Sequence, residues 1–222
     1  MTDFPIDIVA FDLDGTLLDT HEDLGASVNH ALAEGGFREV PVGSAKDLIG
    51  GGAKTMLARA LEDQGGVPDD EFRRLYKLML AHYAEHNAVL TKPYPHAESV
   101  LDELAGRGVK LAVVTNKFES FARGVLQTLG LAQRFACIIG GDTLGKGRAK
   151  PAPDPLYETI RLCGGGRLVF VGDSSYDLHA ARAAGVPFVA ACYGYCDLAR
   201  EDFAADAAID TLDQLIPALE RL

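Results

Sequence analysis

Five apolar runs recur along the chain, each closing on turn residues: "IDIVAFD" from Ile6, "VKLAVVTN" from Val109, "RFACIIGGD" from Arg134, "RLVFVGD" from Arg167 and "PFVAACYG" from Pro187. None sustains an apolar-polar alternation, so each predicts a strand buried on both faces, as in a parallel sheet. The stretches "AESVLDELAGRG", "FESFARGVLQTLG", "DPLYETIRLCG" and "YDLHAARAAG" lie between them, carry apolar residues at helical spacing and end in Gly. Glycine after the last periodic residue is a helix stop signal. Strand alternating with helix predicts an α/β fold with a doubly wound parallel sheet.

The interval from Thr20 to Tyr94 breaks this rhythm. It offers the helical patterns "LGASVNHALAEGG", "AKTMLARALEDQ" and "DEFRRLYKLMLAHYAEH" and no strand pattern. It predicts a helical insertion after the first strand, spanning residues 20–89, with residues 1–19 and 90–222 forming the α/β core. "KPYPHAE", from Lys92, is the proline-punctuated return to the sheet.

Open α/β sheets bind ligands at the carboxyl ends of their strands. Those ends carry Asp12 and Asp14 after the first run, Thr115 and Asn116 after the second, Asp142 after the third, and Asp173, Ser174 and Asp177 after the fourth. Lys150 lies in a later loop, just before Pro151. Several carboxylates meeting in one cleft repel one another unless protons or a hard cation intervene. Magnesium fits: it takes oxygen ligands and is commonly held by one or two carboxylates together with substrate phosphate oxygens. Asp12 and Asp173 are the candidate side-chain ligands, and a backbone carbonyl near Asp14 completes the protein's share.

Composition narrows the function classes. The 222 residues are 48% hydrophobic and 24% charged, enough for a full enzyme core, and 32 acidic residues against 21 basic ones argue against nucleic acid or an anionic membrane as partner. "MTDFPIDIVAF" lacks a signal-peptide pattern, and no run approaches the roughly 18 apolar residues of a membrane span. A cytoplasmic protein is expected, a monomer or homodimer acting on a small molecule. Cys137, Cys163, Cys192 and Cys196 are read as reduced thiols, without the paired spacing of a zinc site.

Phosphoryl transfer needs an in-line nucleophile, donors for the equatorial oxygens and an acid for the departing alkoxide. A carboxylate can attack phosphorus, and Thr115, the backbone amides after it and Lys150 can bear the phosphoryl charge. Gly50, Gly51 and Gly52 precede a helix whose N-terminus favours an anion, with Lys54 adding a cation for a substrate carboxylate.

"DLDGT" from Asp12, "TN" at Thr115, "KPAPDP" from Lys150 and "GDSSYD" from Gly172, in that order, resemble the haloacid dehalogenase superfamily across nearly the whole chain. The resemblance implies a Rossmann-like core with a helical cap domain inserted after the first strand. It implies Asp12 as nucleophile through an aspartyl-phosphate and Asp14 as general acid and then base. Dehalogenases of the superfamily lack that second carboxylate, so its presence favours phosphate chemistry. Thr16 would support the loop, Thr115 and Asn116 would contact the phosphoryl group, and Lys150 would neutralise it. Magnesium would be held at Asp12, Asp14 and Asp173, with Ser174 and Asp177 behind them. "TNK", "KPAPDPL", "GDSSYDLHAARAAG" and the cap stretch "LIGGGAKTMLARAL" are closest to phosphoglycolate phosphatases. Gly51 and Lys54 then become substrate contacts and 2-phosphoglycolate the first expected substrate. His96 and Tyr176 depart from that pattern, where glycine and smaller or amide residues are more usual.

Two other functions use similar parts. One is a phosphomutase or phosphotransferase that passes the phosphoryl group to a sugar. The other is a receiver-like signalling module, which needs neither an insertion nor the second carboxylate. Several residues carry plainer readings. Asp177 fits a helix N-cap, Lys146 and Arg148 compete with Lys150, and Tyr193 and Tyr195 are expected to pack. His82 and His86 are expected on an exposed helix face, with no third zinc ligand in view.

Overall fold

The computed structural model describes residues 4–49 and 51–222. In chain order the elements are β1 (Ile8–Phe11), β2 (Leu18–Asp19), α1 (His21–Glu34), a 3-10 turn (Val42–Leu48), α2 (Ala53–Glu62), α3 (Asp69–His86), β3 (Lys92–Pro93), α4 (Ala97–Gly106) and β4 (Lys110–Val114). There follow α5 (Glu119–Thr128), β5 (Cys137–Ile139), α6 (Asp154–Leu162), β6 (Leu168–Gly172), α7 (Ser175–Ala184), β7 (Phe188–Ala191), β8 (Ala207–Ile209) and α8 (Leu215–Leu219). No helix among the described residues is long and apolar enough to cross a membrane.

Six strands form one sheet in the order β5-β4-β1-β6-β7-β8, and each pairs in parallel with its neighbours. The uninterrupted apolar runs follow from burial on both faces. Val9, Phe11, Leu111, Val113, Val169 and Val171 join one core with α4, α5 and α8. Their chain neighbours Ile8, Ala10, Ala112, Val114 and Phe170, with Phe188 of β7, join a second with α6 and α7. Side chains alternate between faces along a strand, so both parities must be apolar. The five expected strands are present. β8 is a sixth that the periodicity did not predict, because three residues at a sheet edge are too few to show a pattern.

The helical insertion has a core of its own, in which Leu24, Val28 and Leu32 of α1 meet Met56 and Leu57 of α2 and Leu75, Met79 and Tyr83 of α3. Its two connections to the sheet pair as a short antiparallel ribbon, β2 with β3, which periodicity also left unseen. Asp23, at the start of α1, is buried and staples the return segment. Its carboxylate accepts hydrogen bonds from the backbone N–H groups of Val89, Leu90 and Thr91 and from the Thr91 hydroxyl. The insertion is thereby anchored directly over the carboxyl end of β1, the strand on either side of which the sheet order reverses. His96, standing where glycine was the usual residue, has φ 69, in the left-handed region that glycine enters without a Cβ clash.

Candidate active site

β1 delivers Asp12 to the sheet's edge, and the loop behind it folds back at once. Gly15 donates to the carbonyl of Leu18, and Leu17 and Leu18 donate to that of Leu13. Gly15 has φ 86, and a Cβ there would lie 2.3 Å from Asp173 Oδ2. Glycine is required on two counts, for the turn and for the approach of the β6 loop.

Four side chains form a buried chain of charge. Lys150 Nζ lies 2.8 Å from Asp12 Oδ1, close enough for an ion pair though outside hydrogen-bond angles, and donates to Asp177 Oδ1 at 2.6 Å. Asp177 Oδ2 accepts from the Ser174 backbone N–H and hydroxyl, closing a capping box on α7. Asp177 is thus both the helix cap and the support of Lys150. Asp173 Oδ1 accepts from the Thr16 hydroxyl at 2.9 Å, and its Oδ2 accepts from the Tyr195 backbone N–H at 2.7 Å. The rivals Lys146 and Arg148 are exposed, and Arg148 pairs with Asp154 instead.

Asp12, Asp173 and Asp177 each present an oxygen within 4.8 Å of the others. Burial pushes the Asp12 carboxyl up to about 7, partly offset by Lys150 beside it. Burial, then the charges of Asp12 and Asp177, push Asp173 well above the ordinary carboxylate range. Burial alone would discharge Lys150, but its two carboxylates outweigh that and hold its pKa above the usual lysine value. Three carboxylates against one ammonium leave an excess that a divalent cation would balance. Asp12 Oδ1 has no hydrogen bond, and Asp173 Oδ2 sits in a cradle that a Cβ at Gly15 or Gly194 would fill. The donor set therefore fits magnesium, with Asp12 and Asp173 the candidate side-chain ligands, since both border a small cleft that Asp177, fully buried and tied to Lys150 and Ser174, does not reach. Gly194→Ala tests the cradle, because its Cβ would lie 2.5 Å from Asp173 Oδ2. We expect a rise of about tenfold or more in the magnesium concentration giving half-maximal activity; an unchanged requirement would remove the cradle from the metal's support.

Asp14 faces elsewhere. Its Oδ1 accepts from the Thr20 hydroxyl at 2.8 Å, and its Oδ2 pairs with Lys117 Nζ at 2.8 Å. Its side chain stands outside the carboxylate cluster that could hold a metal, which leaves its backbone carbonyl as the candidate ligand. Thr115 is buried, and its Oγ1 accepts from the Lys117 backbone N–H, so its own hydroxyl proton is available to a ligand. Asn116 donates its Nδ2 to the Lys150 carbonyl at 3.1 Å, tying the two loops together. Asp142 accepts from the Glu119 N–H at the start of α5.

A cavity of about 320 Å³ opens from Asp12 and Asp14 and is roofed by the insertion. Thr115, Asn116, Gly51, Gly52 and Lys54 all line it, so residues far apart in sequence meet there; Gly50 lies outside the described residues. Lys117 also lines it and carried no expected role, although it directly follows "TN". Burial opposes its charge, but Asp14 outweighs burial and raises its pKa. Tyr193 and Tyr195 do more than pack. Tyr193 donates to the Thr16 carbonyl, and the Tyr195 hydroxyl accepts from the Thr20 N–H and donates to Asp19. They brace the loop that bears Asp14. His82 is half-buried rather than exposed and stacks between His30 and His86 at 4.6 and 4.3 Å.

The family described as haloacid dehalogenase-like hydrolase matches residues 9–191. A phosphoglycolate phosphatase of Mesorhizobium japonicum is 40% identical over 219 residues, covering 97% of this chain and 96% of that protein. One of Agrobacterium fabrum is 39% identical over 223 residues, covering 99% and 95%. The crystal structure of a predicted phosphoglycolate phosphatase from Haemophilus somnus superimposes with a TM-score of 0.87 at 28% identity, over 96% of this chain and 97% of that one. The parallel sheet, the carboxylates gathered at its strand ends and these likenesses lead to one conclusion: the chain belongs to the haloacid dehalogenase-like hydrolase family and is a phosphoric monoester hydrolase.

Proposed function

We propose that the enzyme hydrolyses 2-phosphoglycolate to glycolate and phosphate, with magnesium and an aspartyl-phosphate on Asp12. The observation that carries the mechanism is the Asp12 carboxylate, which borders the cavity and is met by the Lys150 ammonium alone, while both oxygens of Asp14, Asp173 and Asp177 are tied to other groups. The near full-length relatives named phosphoglycolate phosphatase support the substrate.

In the first half-reaction a carboxylate oxygen of Asp12 attacks phosphorus as the ester P–O bond breaks. Asp14, protonated, gives its proton to the departing alkoxide. In the second, Asp14 takes a proton from water, which attacks phosphorus, and the bond to Asp12 breaks to release phosphate. Lys150 and the Thr115 hydroxyl hold the phosphoryl oxygens. Thr16, Ser174 and Asp177 keep Asp173 and Lys150 in place through the hydrogen bonds described above. Magnesium bound at Asp12, Asp173 and the Asp14 carbonyl would neutralise charge between those carboxylates and the phosphoryl group. Residues 20–89 would act as a cap that excludes water, with Gly51 and Lys54 contacting the substrate. The family assignment leaves the receiver reading without support, and no observation favours transfer to a sugar over transfer to water.

Phosphate release from a panel of small esters, with magnesium and with EDTA, tests reaction, metal and substrate together. EDTA should abolish turnover and magnesium restore it; full activity in EDTA would sink the metal assignment. Stability offers a second readout. The Asp12 carboxyl, with a pKa of about 7 in the metal-free fold against 3.8 ordinarily, stabilises that fold while protonated. This contribution is complete below the unfolded value and fades as pH rises through the folded one. The EDTA-treated protein should therefore lose melting temperature between about pH 5 and pH 8, and magnesium should raise it most at the upper end. An equal magnesium effect at both ends would contradict the charge balance drawn above.

A further inference from the structure

Tyr83 lies in the insertion's core, and its buried hydroxyl is among the few buried polar atoms of the described residues without a hydrogen-bond partner. It is 2% exposed, it lines the cavity, and its hydroxyl makes no hydrogen bond of good geometry, with the Lys117 ammonium close beside it. Its ring is fixed edge-on against Phe121 at 5.3 Å, and Lys117 Nζ lies 4.8 Å from the ring centroid. Lys117 comes from the loop after β4, whereas Tyr83 comes from α3 of the insertion. The pair therefore spans the two halves of the molecule and meets only inside the cavity.

A buried hydroxyl without a partner costs stability, and phenylalanine would fill the same space among Met79, Leu24 and Phe121 without that cost. Such a group is accounted for by a ligand that completes its hydrogen bond. The neighbouring ammonium fixes the ligand's charge. A cationic group would be repelled by Lys117, and a purely apolar one would leave the hydroxyl without a partner and the ammonium with Asp14 alone. A carboxylate accepts from both. Lys54, the other cation lining the cavity, is exposed, so water screens its attraction far more.

We propose that Tyr83 and Lys117 together bind the carboxylate of the leaving group, so that the enzyme selects phosphate monoesters of short hydroxy acids and does so only with the insertion seated over the sheet. This rests on the hydrolysis of 2-phosphoglycolate proposed above and assigns its specificity to two residues.

The test compares kcat/KM for 2-phosphoglycolate with that for ethylene glycol monophosphate, which has the same two carbons and no second charge. The wild type should prefer the acid. Tyr83→Phe should reduce that preference about tenfold, chiefly through KM, and Lys117→Met about a hundredfold. Any disturbance of Asp14 by the lysine substitution acts on both esters and cancels in the ratio. Tyr83→Phe removes no hydrogen bond of good geometry, so its melting temperature should equal or exceed that of the wild type; this separates a binding role from a structural one.

A wild type that favours the acid together with variants that favour it equally would overturn the pair and leave the substrate reading intact. A wild type that turns over ethylene glycol monophosphate as well as the acid would overturn both. Equal losses on the two esters in Tyr83→Phe would place its hydroxyl on the phosphoryl group, which also refutes the proposal.

Discussion

Asp12→Asn is expected to lower phosphate release by roughly four orders of magnitude or more, the scale on which loss of a covalent nucleophile is felt. The amide cannot form an acyl phosphate, and no other carboxylate stands ready to replace it. Asp173 is tied to Thr16 and the Tyr195 N–H, Asp177 to Lys150 and Ser174, and Asp14 to Thr20 and Lys117. The substitution keeps the shape of the side chain and removes one charge from a cluster of three buried carboxylates, of which Lys150 pairs with Asp12 and Asp177. The metal-free variant should therefore melt no lower than the metal-free wild type, and circular dichroism alongside phosphate release separates lost chemistry from lost structure. Activity within about tenfold of the wild type would take Asp12 out of the nucleophile's role.

Lys150→Met carries the largest expected effect on stability. It removes the only cation among the described residues paired with Asp12 and Asp177, and the Asp177 side chain is fully buried. Stranding a buried charge by deleting its partner costs about 3–5 kcal/mol. Urea denaturation at pH 8 without magnesium should show that loss, and activity should collapse in parallel. At pH 5, where Asp12 can take up a proton, the loss should be smaller. A variant within about 1 kcal/mol of the wild type at pH 8 would show that these carboxylates have another source of compensation.

The expected strands were legible because a parallel sheet buried on both faces needs apolar residues at every position, as Ile8–Phe11 and Leu168–Gly172 have. The three insertion helices were legible from their spacing, and the motif residues from their order at strand ends. β8 was not, since Ala207–Ile209 joins the sheet only because β7 offers an open edge to pair with. The β2–β3 ribbon, two residues on each side, likewise exists only once the insertion's two connections are brought together.

Charge pairing set a similar limit within the site. Lys150, Lys146 and Arg148 compete in one short loop, and only the fold shows which of them enters the core to meet Asp12 and Asp177. Lys117 looked like any lysine after a polar pair until its ion pair with Asp14, about 100 residues away in the chain, appeared. Tyr83 sits at a helix position that spacing assigns to the core, and Tyr195 follows a strand where packing was the plainer reading. Sequence by itself determined the elements and the groups available at their ends, because backbone preference and apolar periodicity act over a few neighbouring residues. Tertiary structure alone decided which carboxylate borders the cavity with a lysine as its partner, which lysine is buried and which hydroxyl is left without a well-placed partner, because burial and ion pairing depend on distances between segments that local sequence does not encode.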